Sequence, residues 1–142
     1  MKTYKIFSIS GRATRREFWC YFILSLMVTS AFLNVMFNAI SVVSFYTGGI
    51  IGCAGFYIGS AVTVRRLHDI GLSGYLSIIL IGSWALNIVF SLLLGMPTTI
   101  QHFKTIYGIN SLILVTFILY LGCKKSENND NKYGPVTHHI IK

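Results

Sequence analysis

Hydrophobic residues dominate the middle of the chain and polar ones its edges. From Phe18 to Val64 no Asp, Glu, Lys or Arg occurs, a run of 47 residues. As helix, that run would extend roughly 70 Å, about twice the thickness of a bilayer's hydrocarbon core. Two antiparallel helices with a short turn use such a length; one straight span does not. The first span is expected at about 18–38, followed by a weakly polar turn region marked by Asn34, Asn38, Ser41 and Ser44. The second runs from Phe45 or Gly48 to Val64. The third runs from Tyr75 to Leu94 and stops at Gly95-Met96-Pro97, where glycine and proline end helices. A polar loop with Thr98, Thr99, Gln101, His102 and Lys104 leads to a fourth span at Ile106–Cys123. Beyond it, KKSENNDNKYGPVTHHIIK is a polar tail.

The pattern predicts an all-α fold, an integral-membrane four-helix bundle forming a single domain over residues 1–142. The first apolar run, preceded by 17 residues, exceeds the 7–15 residues of a signal-peptide core and shows no small-x-small cleavage site with the right flanks, so an uncleaved first helix is expected.

Charge sets the orientation. Lys2, Lys5, Arg12, Arg15, Arg16, Arg65, Arg66, Lys124, Lys125, Lys132 and Lys142, which are 11 of the 12 basic residues, fall on one predicted side. Only Lys104 lies opposite. Glu17, Asp69, Glu127 and Asp130, all the acids, share the basic side. The excess of lysine and arginine places both termini in the cytoplasm. With 54% hydrophobic and 11% charged residues, against about 25% charged in soluble domains, the +8 net charge is that of a membrane protein touching anionic headgroups. Nucleic acid is therefore not an expected partner.

Two cytoplasmic clusters carry the candidate chemistry. In SGRATRREFW, residues 10–19, Thr14 and Glu17 have capping-box spacing and start a helix at the membrane surface. Glu17 suits the positive end of the helix dipole. Phe18, Trp19 and Tyr21 fall at interfacial depth, and Arg12, Arg15 and Arg16 can reach phosphates. In VRRLHDIGLSGY, residues 64–75, Arg65 and Arg66 end the second helix, and Ser73 is a candidate N-cap for the third. If the two loops fold together, five arginines surround Glu17 and Asp69 with a local net charge of +3. Such a constellation locks helix ends together, holds an anion, or does both. His68 beside Asp69 invites an acid–base reading, but adjacent side chains diverge, so a structural or pH-sensing histidine is expected.

Gly48, Gly52, Gly55 and Gly59 share one face of the second span and fit close helix packing, within the bundle or across a dimer seam. Cys20, Cys53 and Cys123 read as free thiols in the packing. No metal site is expected, the His138-His139 pair lacking further spaced ligands. No nucleotide-binding motif occurs, so no cofactor is expected. No charge lies deep in a span, as a proton-coupled transporter would ordinarily require. Asn34, Asn38, Asn87 and Asn110 are the amides in or near the spans.

Three stretches, GRATRREFW (11–19), RRLHDIGLSG (65–74) and NKYGP (131–135), together resemble the small bacterial inner-membrane proteins of the YhaH type, the family of domain of unknown function 805. Its members typically carry a tryptophan pair where Tyr75 and Leu76 stand here. The resemblance implies an inner-membrane protein of about four helices and supplies no activity. It also suggests one cytoplasmic-face site, with the tail folded back under the arginines, Tyr133 packing and Gly134-Pro135 turning the chain. The leading expectation is a non-enzymatic protein whose arginine-rich face binds anionic lipid or a partner protein. The alternative is a small channel or transporter formed by a homo-oligomer. A headgroup-acting enzyme, with His68 and Asp69 as its candidates, is third.

Overall fold

A computed structural model describes residues 7–37, 41–94 and 100–135. Asn38, the Gly95-Met96-Pro97 stop, Thr98, Thr99 and the His138-His139 pair lie outside these residues. The described residues form an all-helical fold with four α-helices: α1 (Arg15–Phe37), α2 (Val42–Asp69), α3 (Ile78–Leu94) and α4 (Ile100–Cys123). Among the described residues no strand forms, and one isolated bridge joins Asn131 to Gly134.

Local signals start the helices. The Thr14–Glu17 box opens α1: the Glu17 amide donates to Thr14 Oγ1 at 3.2 Å, and the Thr14 amide donates to Glu17 Oε2 at 3.0 Å. A second box, Ser41 with Ser44, caps α2. Ser73 accepts from the Tyr75 amide at 3.4 Å, but it caps a 3-10 turn, Gly74–Ser77, so α3 begins at Ile78 rather than at Tyr75. A 3-10 turn rises faster per residue than an α-helix, and Gly74 at its start packs against Val64 and His68 of α2. Helix α2 also continues past the apolar run through Arg65, Arg66 and His68 to Asp69, and α4 starts six residues before Ile106.

Helices α1 and α2 pair along the glycine face. A Cβ on Gly52 would lie 2.2 Å from Phe32 Cδ1, one on Gly55 2.9 Å from Val28 Cγ1, and one on Gly59 2.7 Å from Ser25 Oγ. Gly48 faces Val35 in the same way. These four glycines therefore serve contact within the chain, and a seam between chains cannot use the same face. Phe56 of α2 stacks on Trp84 of α3 with centroids 4.2 Å apart. Asn110 of α4 donates to the Ser83 carbonyl of α3 at 3.3 Å, so one of the expected intramembrane amides ties two helices together. Gly122 of α4 lies beneath the Trp19 ring of α1, where a Cβ would be 2.3 Å from the indole.

Burial is uneven along the bundle. Ala13, Phe18, Tyr21, Phe22, Val62, Leu67, Ile70 and Leu121 form a core at the end where α1 starts and α2 and α4 finish. Along the shafts, Val42, Val43, Ile50, Ile78 and Leu112 are each about two-thirds or more exposed. Among the described residues one helix, Val42–Asp69, is long and apolar enough to cross a membrane; Gly74–Leu86 and Gly108–Cys123 are shorter apolar helical stretches.

Candidate functional site

The buried end of the bundle is organised around one carboxylate. Asp69, in the last turn of α2, is fully buried and lies between two guanidinium groups. Arg12 Nε donates to its Oδ1 at 3.1 Å, and Arg66 Nη1 donates to its Oδ2. A charge removed from water costs several kcal/mol unless it is paired and hydrogen-bonded, and here both conditions are met.

The two arginines do more than neutralise Asp69. Arg12 Nη1 donates to the carbonyls of Asn129 at 2.9 Å and Gly134 at 3.5 Å, and Nη2 to those of Glu127 at 2.7 Å and Asp69 at 3.3 Å. With the Nε bond, all five of its donors have protein acceptors. Arg66 Nε donates to the Leu121 carbonyl at 2.8 Å, Nη2 to that of Lys124, and Nη1 also to Ala13 O at 3.3 Å and Ser126 Oγ at 3.1 Å. Arg66 thereby takes up carbonyls at the end of α4 that the helix itself leaves unpaired. One ion triad thus fastens the entry to α1, the end of α2, the end of α4 and the tail.

Backbone bonds reinforce the junction. The Ala13 amide donates to Arg65 O at 3.1 Å, and the Glu127 amide to Asp69 O at 2.9 Å. Gly71, at φ +77°, turns the chain out of α2, and a Cβ there would meet the Glu127 carboxylate at 2.7 Å. Asn131 Nδ2 donates to His68 O at 2.9 Å. The Asn131 and Gly134 backbones pair in both directions, closing the NKYG turn. Tyr133 lies flat on His68, with centroids 3.8 Å apart and planes 6° from parallel.

His68 Nδ1 is 3.2 Å from Gly11 O. A carbonyl only accepts, so Nδ1 carries the proton and the neutral ring leaves Nε2 as a lone pair near Gly74. Burial pushes the imidazole below its ordinary pKa, the Gly11 bond opposes this, and Lys132 adds to it. The His68–Tyr133 stack walls an open cleft of about 440 Å³, with Ser73, Ser77 and the exposed Tyr75 on its other sides.

All three stretches singled out in the sequence therefore meet, but the five arginines divide. Arg12, expected as an anion ligand, has all five donors on protein acceptors, and Arg66, expected likewise, is fully buried and held by five protein acceptors. Arg15 and Arg16 are exposed on the first turn of α1. Arg65 is only 2% exposed; its Nε and Nη2 find no acceptor, and its guanidinium carbon lies 5.8 Å from the Tyr21 ring centre. Burial lowers the pKa of both Arg65 and Arg66, opposed by Glu17 and then Tyr21 for the first and chiefly by Asp69 for the second. Glu17 stays with its cap, and the two ion pairs that fasten this junction are both to Asp69. His68 and Asp69 point to different partners and do not form a dyad. Among the described residues, no three His, Cys, Asp or Glu side chains gather as a metal site would.

Sequence reasoning missed the tail acceptors, because the groups that bind Arg12 and Arg66 are mostly backbone carbonyls, which any residue supplies. It also missed Gly122, whose only signal was a glycine just before the end of an apolar run.

Comparison with known proteins gives the same extent as the three stretches. No solved structure matches the chain. The uncharacterized protein YiiR of Escherichia coli strain K12 is 28% identical over 136 residues, covering 95% of this chain and 89% of the relative. The protein of the same description in Escherichia coli O157:H7 matches equally. The family described as a protein of unknown function, DUF805, matches residues 6–135, which take in the α1 entry, the α2 end and the NKYGP turn that the ion triad joins. The chain belongs to the DUF805 family.

Proposed function

We propose that this is a four-span inner-membrane protein with both termini cytoplasmic, acting as a non-enzymatic binding module whose basic cytoplasmic face recruits anionic lipid. The observation that carries the reading is the division of the arginines. Arg12 and Arg66 are sealed into the triad, whereas Arg15 and Arg16 stand exposed beside it on the first turn of α1. Lys124 and Lys125 are exposed at the adjoining end of α4. The triad fixes where these cations sit, and each contributes about 1 kcal/mol of attraction to an anionic surface.

The membrane assignment is supported by α2, by the uncharged stretches at 18–38, 75–94 and 106–123, and by the exposed apolar shafts. Soluble monomers rarely expose contiguous apolar patches beyond a few hundred Å². The different partners of His68 and Asp69 support a non-enzymatic reading over acid–base catalysis by that pair. The oligomeric channel loses one of its two motivations, since the glycine face of α2 is occupied by α1.

The experiment is lipid analysis of gently purified protein. Wild type should carry phosphatidylglycerol or cardiolipin above their share in the bulk membrane, and Arg15→Gln/Arg16→Gln should lower that enrichment while remaining membrane-bound. Unchanged enrichment in the double variant would remove the proposal.

A further inference from the structure

A second feature lies on the outer surface between α3 and α4. There an open groove of about 460 Å³ is lined by Ile79, Leu112, Ile113, Thr116, Phe117 and Tyr120. Thr116 spends its hydroxyl on the Leu112 carbonyl at 2.8 Å, so the wall it offers is a methyl group. The groove is therefore apolar throughout, except at one end. There the Lys124 ammonium donates to Tyr120 Oη at 2.5 Å and stands 4.9 Å from the ring centre. Lys124 is otherwise exposed. Its position is fixed from below: its amide donates to Tyr120 O at 2.9 Å, and its own carbonyl is held by Arg66.

The dimensions select an occupant. From Leu112 to Tyr120 the α4 wall rises about 12 Å, close to the roughly 15 Å depth of one leaflet's hydrocarbon. A single extended alkyl chain fits along an open groove of this length. A cation held at the mouth of an apolar slot complements a molecule with one anionic end and one alkyl tail. The same end of α4 adjoins the triad, which places the cation at the cytoplasmic headgroup layer if the chain spans the membrane as proposed above.

We infer that the α3–α4 groove is a phospholipid site: one acyl chain of a cytoplasmic-leaflet lipid lies against Ile113, Thr116 and Phe117, and Lys124 meets an anionic headgroup phosphate. The site rests on the membrane reading but not on Arg15 or Arg16.

The test uses the full chain in nanodiscs of equal phosphatidylglycerol and phosphatidylcholine, followed by native mass spectrometry. One strongly retained lipid per chain is expected, predominantly phosphatidylglycerol, and it should persist in Arg15→Gln/Arg16→Gln. Lys124→Gln should lower the preference about fivefold, the factor for one cation at an anionic surface, while a lipid is still retained. Thr116→Trp, which fills the groove from an exposed position, should lose the retained lipid of either kind; circular dichroism checks that the variant is folded. No retained lipid on wild type, equal retention of the two lipids, or a dimer that Thr116→Trp dissociates would each overturn the site while leaving membrane insertion intact. A chain that fails to enter nanodiscs and does not float with vesicles would overturn the membrane reading as well.

Discussion

Replacing Asp69 by asparagine tests whether the ion triad holds the fold together. The substitution keeps size and shape but removes the carboxylate that lies between two buried guanidinium groups, whose side chains are 1% and 0% exposed. The amide oxygen can still accept from one arginine, while its NH2 group meets the other donor to donor. Removing one partner of a buried pair typically costs 3–5 kcal/mol, because the remaining charge stays out of water uncompensated. With one bond retained, the expected loss is about 3 kcal/mol, a large part of a typical 5–15 kcal/mol stability. Arg15→Gln, on an exposed arginine a few residues away, should change stability by less than about 0.5 kcal/mol.

Unfolding in mixed micelles by sodium dodecyl sulfate, followed by tryptophan fluorescence, suits this comparison, because Trp19 sits on Gly122 at the triad end of the bundle. If Asp69→Asn does not accumulate in folded form, Arg12→Lys carries the test instead. Lysine offers three donors to the five acceptors of Arg12, so at least two acceptors lose their donor. At about 1–3 kcal/mol for each buried unsatisfied group, the expected loss is about 2 kcal/mol or more. A loss below about 1 kcal/mol in both variants would refute the triad as the fastening of this end.

Three further outcomes follow from the geometry. Gly52→Val should prevent close approach of α1 and α2, since even a Cβ meets the Phe32 ring at 2.2 Å, whereas Gly82→Ala, with nothing within 4 Å, should stabilise α3 by up to about 1 kcal/mol; the same micelle titration separates them. Thr14→Ala should cost about 0.5–2 kcal/mol through loss of the α1 cap, measured as helix content and unfolding midpoint. His68 lies beyond the apolar segment and its folded pKa is depressed by burial, so the unfolded chain takes up a proton near pH 6.5 before the folded protein does. Stability should therefore fall as pH drops through about 6.5 and level off below the folded pKa, and His68→Gln should flatten that part of the profile; an unchanged profile would show that another group titrates there.

What was legible in the sequence is what short-range physics controls. The Thr14–Glu17 box spans three residues and closes as its spacing requires. The charge-free stretches mark the helices, though not their ends. Helix α2 runs five residues past Val64 because the triad and the Gly11 carbonyl receive the polar side chains that would otherwise stop it. The Ser41–Ser44 box lacked the acidic partner that marks such caps in sequence, so it read only as a turn. The glycine stripe announced a close contact without naming the partner, since a helix of the same chain and a helix of a second chain present the same requirement.

The fate of the arginines was the least legible feature, and the reason is physical. Arg12 and Arg15 differ by three positions and look alike in a basic run, yet one has five internal acceptors and the other lies at the surface. The acceptors of Arg12 lie 57 residues away on Asp69 and up to 122 away at Gly134, and most are carbonyls that carry no side-chain signature. A local net charge of +3 counts charges but cannot say which are already neutralised. Once Asp69 has taken two arginines, the positive charge open to a ligand on this face shifts outward to Arg15, Arg16, Lys124 and Lys125. Burial of the triad and exposure of the outer cations are therefore two consequences of one junction. A variant that loosens the triad should blur the lipid preference as well as the fold, whereas Arg15→Gln/Arg16→Gln or Lys124→Gln should alter lipid preference alone.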